Sequence, residues 1–194
     1  MRLSLCALLF AAFAGAVSGA HGDIIFSNVN ISGSLATGAS YETGPVDIDF
    51  ILPDAIVGDP TEPRREGDLV ISYEAESTDP LTQDQLTLEV LGALAGSGTI
   101  SLTETVEDLI TPGVIASYSI LLDDNSQLPH VAVLDFDRDT ARIYVEKTLT
   151  LEALDTGEFD LAQVSLIEQV HREIPEPATG LALVLPALLL GRRR

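Results

Sequence analysis

Hydrophobic and polar residues alternate with a period of two along much of the chain. In Asp68–Glu76, Leu69, Ile71 and Tyr73 share one face, and mostly polar side chains take the other. This period is typical of a β-strand with one buried face. Similar patterns predict strands at Ile24–Val29, Val46–Leu52, Gln85–Val90, Thr99–Thr105, Val114–Leu122, Val131–Phe136, Arg142–Leu151 and Phe159–Val170. A charged residue, Lys147, interrupts the apolar face of one of them.

Turn-forming residues separate these nine segments, as at Asp79-Pro80 and Thr111-Pro112-Gly113. Short strands divided by such turns predict an all-β fold, an antiparallel β-sandwich with jelly-roll-like topology. An α/β fold would need longer helical segments between the strands, and only Thr103–Ile110 hints at a short one. Asp54–Asp68 is rich in proline, glycine and charge, so we expect an exposed loop there.

The N-terminus has the features of a secretory signal peptide. Arg2 precedes an apolar stretch, Leu3–Val17, and the small residues Ser18-Gly19-Ala20 follow it. We expect signal peptidase to cleave after Ala20, which also removes Cys6. The alternative is a buried N-terminal helix, but the stretch lacks an amphipathic stripe.

The C-terminus combines three features in a fixed order. Pro175-Glu176-Pro177 is followed by an apolar run, Ala178–Gly191, and the chain finishes with Arg192, Arg193 and Arg194. As a helix the run would reach about 21 Å, short of the roughly 30 Å of a bilayer core. Arginines are costly at the bilayer centre, so the terminal cluster should stay on the cytoplasmic side and stop the tail there.

This tail resembles the PEP-CTERM sorting signal of bacterial surface proteins. The resemblance covers the last 21 residues and implies processing by an exosortase-type membrane enzyme. The protein would be exported, held transiently in the inner membrane and then delivered to the cell surface or the extracellular space. An unprocessed C-terminal anchor is the alternative. Members of this family carry unrelated domains before the tail, so no catalytic residue is transferred from the resemblance.

These two ends divide the chain into a signal peptide (residues 1–20), an acidic β-sandwich domain (21–173) and a sorting tail with a hydrophobic helix (174–194). Removal of residues 1–20 and of the chain from Ala178 onward leaves 157 residues, with all 30 acidic residues but only 6 basic ones, a net charge of −24. Such charge argues against nucleic acid and anionic membranes as partners and favours cations and neutral glycans. Solubility alone is the simpler explanation of the acidity. The same segment has no cysteine, which excludes disulfides and thiolate metal sites.

One acidic segment has the spacing of a calcium-binding loop. Asp135, Asp137 and Asp139 occupy alternate positions, and Glu146 falls at the twelfth position of the count. The sixth position is Thr140, where a calcium loop requires glycine for its sharp turn. The alternative is a charged hairpin between two strands.

The sequence favours a non-catalytic exported protein of the cell surface or extracellular matrix. The tail resemblance further suggests an association with extracellular polysaccharide or biofilm. Two alternatives are a secreted carbohydrate-active enzyme that uses a carboxylate pair, and a calcium-dependent glycan-binding module. No cofactor other than calcium is expected, and the three histidines, His21, His130 and His171, form no recognisable motif.

Overall fold

The fold is built almost entirely from β-strands. The computed structural model describes residues 23–58, 64–89, 94–154 and 159–173, which belong to one compact unit, His21–Ile174. The strands are β1 (Ile25–Ser32), β2 (Ser40–Thr43), β3 (Asp47–Ile51), β4 (Ile56–Val57), β5 (Glu66–Glu89), β6 (Thr99–Asp108), β7 (Gly113–Leu122), β8 (His130–Glu152), β9 (Ala162–Gln163) and β10 (Leu166–Glu173). Within this part of the chain, no helix has the length and apolar character needed to cross a membrane.

Two long strands, β5 and β8, organise the sheets by pairing with each other over most of their lengths. In sheet I, the first half of β5 lies between β1 and the second half of β8, and β6 and β7 follow. In sheet II, the order is β2, β3, β10, the second half of β5 and the first half of β8. All of these pairings are antiparallel, and β4 and β9 form a separate small ribbon.

Sheets I and II pack face to face through aromatic side chains. Tyr73, on the first half of β5, has its ring centroid 5.7 Å from that of Phe50 on β3 and 5.8 Å from that of His171 on β10. Phe26 of β1 approaches the same histidine at 5.7 Å. Tyr73, Phe50 and His171 are at most 1% exposed, so the core lies between the sheets. The predicted antiparallel all-β fold is confirmed.

The prediction that Asp79-Pro80 separates two strands is wrong, because β5 continues through these residues. Pairing between β5 and β8 passes from Glu76–Arg142 to Leu81–Thr140 and then to Gln83–Asp135, with a register shift at each step. Pro80 has no N–H to donate to a ladder, and it lies in the first of these irregular stretches. The turn-forming residues therefore mark the place where β5 leaves sheet I for sheet II. The charged hairpin considered after Phe136 is likewise absent, because β8 runs through that stretch too.

Two further predictions differ from the structure. The segment Asp54–Asp68 is not wholly an exposed loop, because it contains β4 and the beginning of β5. Ala55 and Val57 are completely buried, since β4 pairs with β9 and covers one end of the core. Short strand β2 was not predicted, because all four of its side chains are exposed and leave no alternating pattern.

Candidate functional site

A groove of about 390 Å³ opens between β7 and the first half of β8. These are edge strands of sheets I and II, respectively. Nine residues line the groove: Val114, Ile115, Ala116, Ser117 and Tyr118 from β7, and Val133, Leu134, Asp135 and Asp137 from β8. The site therefore lies where the edges of the two sheets approach each other, and it combines apolar, aromatic and acidic side chains.

The sequence of β7 explains how this wall of the groove forms. Its ten residues carry no charge, and buried Ile115 and Leu122 attach it to the core. Val106 of β6 pairs with Ala116 while Glu107 pairs with Val114, so Ile115 is an extra residue that forms a bulge. Bulges redirect the side chains beside them. Here Ile115 turns into the core while Val114 stays half exposed at the groove.

Tyr118 supplies the aromatic surface of the groove, and His130 supports it. The two rings are nearly parallel, with an interplanar angle of 15° and centroids 6.0 Å apart. The Tyr118 hydroxyl and His130 Nε2 share a hydrogen bond of 2.6 Å. Burial raises the pKa of Tyr118, so its hydroxyl stays protonated at neutral pH. The pair holds a flat, neutral ring in a fixed orientation at the groove.

Asp135 and Asp137 give the groove its acidic side. Both are exposed and lie two residues apart on β8, so they project from the same face of the strand. Gln83 donates a hydrogen bond from Nε2 to Oδ1 of Asp135. None of the nine lining residues is basic. The groove therefore offers carboxylate acceptors for hydroxyl or amino groups and disfavours anionic ligands.

The nearest basic residue in sequence, Arg138, is engaged beside the groove. Its Nε donates to Oδ2 of Asp108 at 2.8 Å, and its Nη2 donates to the carbonyl of Thr111 at 2.5 Å. Thr140 and the N–H groups of Ile110 and Thr111 also donate to Asp108. Burial alone would raise the pKa of Asp108, but these hydrogen bonds outweigh it and hold the pKa well below its ordinary value. This cluster fixes the turn from which β7 begins.

The residues predicted for calcium are not brought together. Asp135, Asp137 and Asp139 follow one another along extended β8, and Glu146 lies in the second half of that strand, opposite Ser72 and Thr105 in sheet I. Among the described residues, no group of three or more His, Cys, Asp or Glu side chains is placed to hold a metal ion.

The other sequence-predicted residues lie outside the described part of the chain. These are the sorting motif Pro175, Glu176 and Pro177 and the terminal cluster Arg192, Arg193 and Arg194. The signal peptide at residues 1–20 lies outside it as well. All of these assignments stay predictions.

Sequence reasoning did not identify Tyr118 and His130 as a pair. They are 12 residues apart and belong to different sheets. One signal was available: a ten-residue strand without charge, Gly113–Leu122, stands out in a chain with 30 acidic residues. A strand at a sheet edge with no charged side chain indicates contact with something other than water.

A second polar cluster lies inside the sandwich, away from the groove. Lys147 of β8 is 1% exposed and Glu104 of β6 is 0% exposed, and Nζ of the lysine contacts Oε1 of the glutamate. The Tyr73 hydroxyl and Nε2 of His171 share a hydrogen bond of 3.0 Å. Burial, and to a smaller extent the Lys147 charge, lower the pKa of His171, while the Glu104 charge opposes them, and together they bring the pKa to about 3. The core therefore contains an ion pair close to a neutral histidine.

Comparisons with known proteins give weak structural similarities. No family model and no curated protein matches the sequence. TmCBM61 in complex with β-1,4-galactotriose has 10% identity and a TM-score of 0.38, covering 76% of this chain and 90% of that one. An arabinose-bound α-L-arabinofuranosidase, MgGH51, has 11% identity and a TM-score of 0.30, and the match covers 75% of this chain and only 23% of the enzyme. A family 11 carbohydrate-binding module from Clostridium thermocellum in complex with a β-1,3-1,4-mixed-linked tetrasaccharide has 9% identity and a TM-score of 0.23, with 81% and 88% covered. These values are too low to assign a function.

Proposed function

We propose that this domain is a non-catalytic module that binds a neutral extracellular polysaccharide in the groove between β7 and β8. The observation that carries the proposal is the combination of the Tyr118 ring with the carboxylates of Asp135 and Asp137 around one opening. A sugar ring has an apolar face of C–H groups that packs on an aromatic ring, and hydroxyls at its rim that donate to carboxylates. The groove offers both kinds of contact.

The charge of the groove and of the chain favours neutral glycans over acidic ones. Asp135 and Asp137 face the opening without a basic residue among its lining, and the whole chain carries a net charge of −20. A uronic acid or a sulfated sugar would place its anion against these carboxylates, with little to offset the repulsion. We therefore expect neutral oligosaccharides to bind and polyanionic ones not to bind.

Binding is favoured over hydrolysis by the exposure of the two carboxylates. A glycosidase needs one carboxylic acid whose pKa is raised so that it can protonate the leaving oxygen, and burial is the usual means of raising it. Asp135 and Asp137 are both exposed. We further propose that the sandwich has the jelly-roll-like topology predicted from the sequence, with the binding site at the edge of its two sheets.

The proposed role also includes the predicted export and sorting. The signal peptide would deliver the domain outside the cytoplasm, and the PEP-CTERM tail would pass it through an exosortase-type enzyme to the cell surface or matrix. There the groove would attach it to polysaccharide, as in a biofilm.

The groove is tested by affinity electrophoresis in gels that contain a neutral galactan or a mixed-linkage glucan, with alginate as an acidic probe. We expect retardation by a neutral polysaccharide and none by alginate. Tyr118→Ala should weaken binding by about 2 kcal/mol, roughly 30-fold in Kd, because it removes the stacking surface. Tyr118→Phe keeps the ring and should bind within a few-fold of the native protein.

The matched control is Tyr41→Ala, since Tyr41 is an exposed tyrosine on β2, an edge strand of sheet II that does not line the groove. Equal loss of binding in both alanine variants would contradict the assignment to the groove. Release of reducing sugar by the native protein, abolished in Asp137→Asn, would support the enzyme alternative instead.

Sorting is tested by mass spectrometry of the protein recovered from the outer surface of its native host. We expect a chain that begins at His21 and lacks the terminal cluster Arg192–Arg194, because both ends are predicted to be removed during export. Recovery of the exported protein with Arg194 still attached would refute exosortase-type processing and favour the unprocessed anchor.

A further inference from the structure

Lys147 and Glu104 face each other inside the sandwich on neighbouring strands. They are direct partners in the register of β8 and β6, so their side chains project to the same side. Nζ of Lys147 contacts Oε1 of Glu104, and the two side chains are 1% and 0% exposed. The amine nitrogen of Lys147 and the carboxyl group of Glu104 are therefore adjacent, as the two groups that form an amide bond must be.

The nearest neighbours of this pair along its own two strands, on the same side, are apolar. The residues two positions away on each strand project to the same side, and all are at most 1% exposed: Leu102, Val106, Val145 and Leu149. Water has little access to a closely packed site of this kind. A desolvated, neutral lysine amine is a competent nucleophile.

We propose that Lys147 and Glu104 are joined by an amide bond that forms spontaneously in the folded domain. A proton passes from the Lys147 ammonium to the Glu104 carboxylate, and the neutral Nζ then attacks Cδ of the glutamic acid. The tetrahedral intermediate loses its hydroxyl together with one proton from nitrogen. One C–N bond forms, one C–O bond breaks and one water leaves, without oxidant, reductant or co-reactant.

Two effects of the fold favour this condensation over the hydrolysis that dominates in water. Two groups held in contact with suitable geometry react as if one were present at an effective concentration of about 10⁵–10⁸ M. Exclusion of water also removes the reactant of the reverse step. The product would tie β6 to β8 across a sequence separation of 43 residues, in a segment without cysteine. This cross-link does not depend on glycan binding.

The bond is tested by digesting the full chain with trypsin after denaturation and mapping the peptides by mass spectrometry. Trypsin cleaves after unmodified lysine and arginine, so an unreacted chain releases the pentapeptide Ile143–Lys147 and, separately, Glu66–Arg138. With the amide bond, cleavage after Lys147 is blocked. We then expect a branched product that joins Glu66–Arg138 to Ile143–Arg172, lighter by one water, about 18 Da, than the sum of its two parts.

Lys147→Arg is the matched control, because arginine keeps the positive charge and the cleavage site but is far less nucleophilic. That variant should release the pentapeptide ending at position 147 in full, and denaturing digestion makes this result independent of its stability. Release of Ile143–Lys147 from the native chain in the same yield, with no branched product, would overturn the proposal.

Discussion

Replacing Lys147 with methionine is expected to lower the free energy of unfolding by about 3–5 kcal/mol, because it leaves the carboxyl group of Glu104 buried without its partner. Methionine fills a similar volume, so the loss reflects charge more than packing. Urea unfolding at pH 7 measures it. The control is Arg142→Met on the same strand: Arg142 is 45% exposed and pairs with Glu74 at the surface, and its loss should cost at most about 1 kcal/mol.

A double variant, Lys147→Met with Glu104→Leu, separates the charge from the proposed bond. Apolar replacement of both members of a buried ion pair is often neutral or stabilising, so a purely non-covalent pair predicts recovery of the loss. A cross-link in the native protein would leave the double variant roughly 2–4 kcal/mol less stable than the native chain. A loss below about 1 kcal/mol in the single variant would contradict the buried position of the pair.

Acidification from pH 6.5 toward pH 3 should destabilise the domain by about 1.4 kcal/mol for each pH unit through His171 alone. The pKa of this histidine is about 3 in the folded protein and about 6.5 when unfolded. Within this window the unfolded chain binds a proton that the folded chain excludes, so stability is full above pH 6.5 and is lost as the pH falls. Urea unfolding at pH 7, 6, 5 and 4 measures the slope.

Carboxylates also titrate toward the lower end of this range, so the test is a difference between variants. His171→Gln removes the titrating group while keeping a side chain able to hydrogen-bond to Tyr73, and between pH 6.5 and 5 its stability should fall less steeply than that of the native protein. His130→Gln controls for the loss of a histidine at the groove. Equal slopes for the native protein and His171→Gln would show that His171 is not held neutral.

The positions of most strands could be predicted from sequence because alternation is a local property. Leu69, Ile71 and Tyr73 alternate with residues that are polar except for Val70, and all three are buried. The joining of segments into β5 and β8 could not be predicted in the same way. Asp79-Pro80 is a typical turn sequence. Only the pairing of β5 with β8 shows that it is a bend within one strand that passes from one sheet to the other.

The two polar sites were less predictable because each depends on long-range contacts. Lys147 stood out as a charge on an apolar face, and Glu104 lies between Leu102 and Val106 in the same manner. Opposite charges at such positions are a signal that two strands are neighbours, since buried charges are rarely tolerated unpaired. Tyr118 and His130 carry no charge signal of this kind, and only the approach of β7 to the first half of β8 brings them together.

Because β5 and β8 each belong to both sheets, neither sheet can come apart while the other stays folded. Separation of the first half of β5 from β1 also weakens the pairing of its second half with β10. The domain should therefore lose its structure in one cooperative transition, as small single domains usually do. For the extracellular role that we propose, this leaves few partly open states in which a protease could reach an exposed strand.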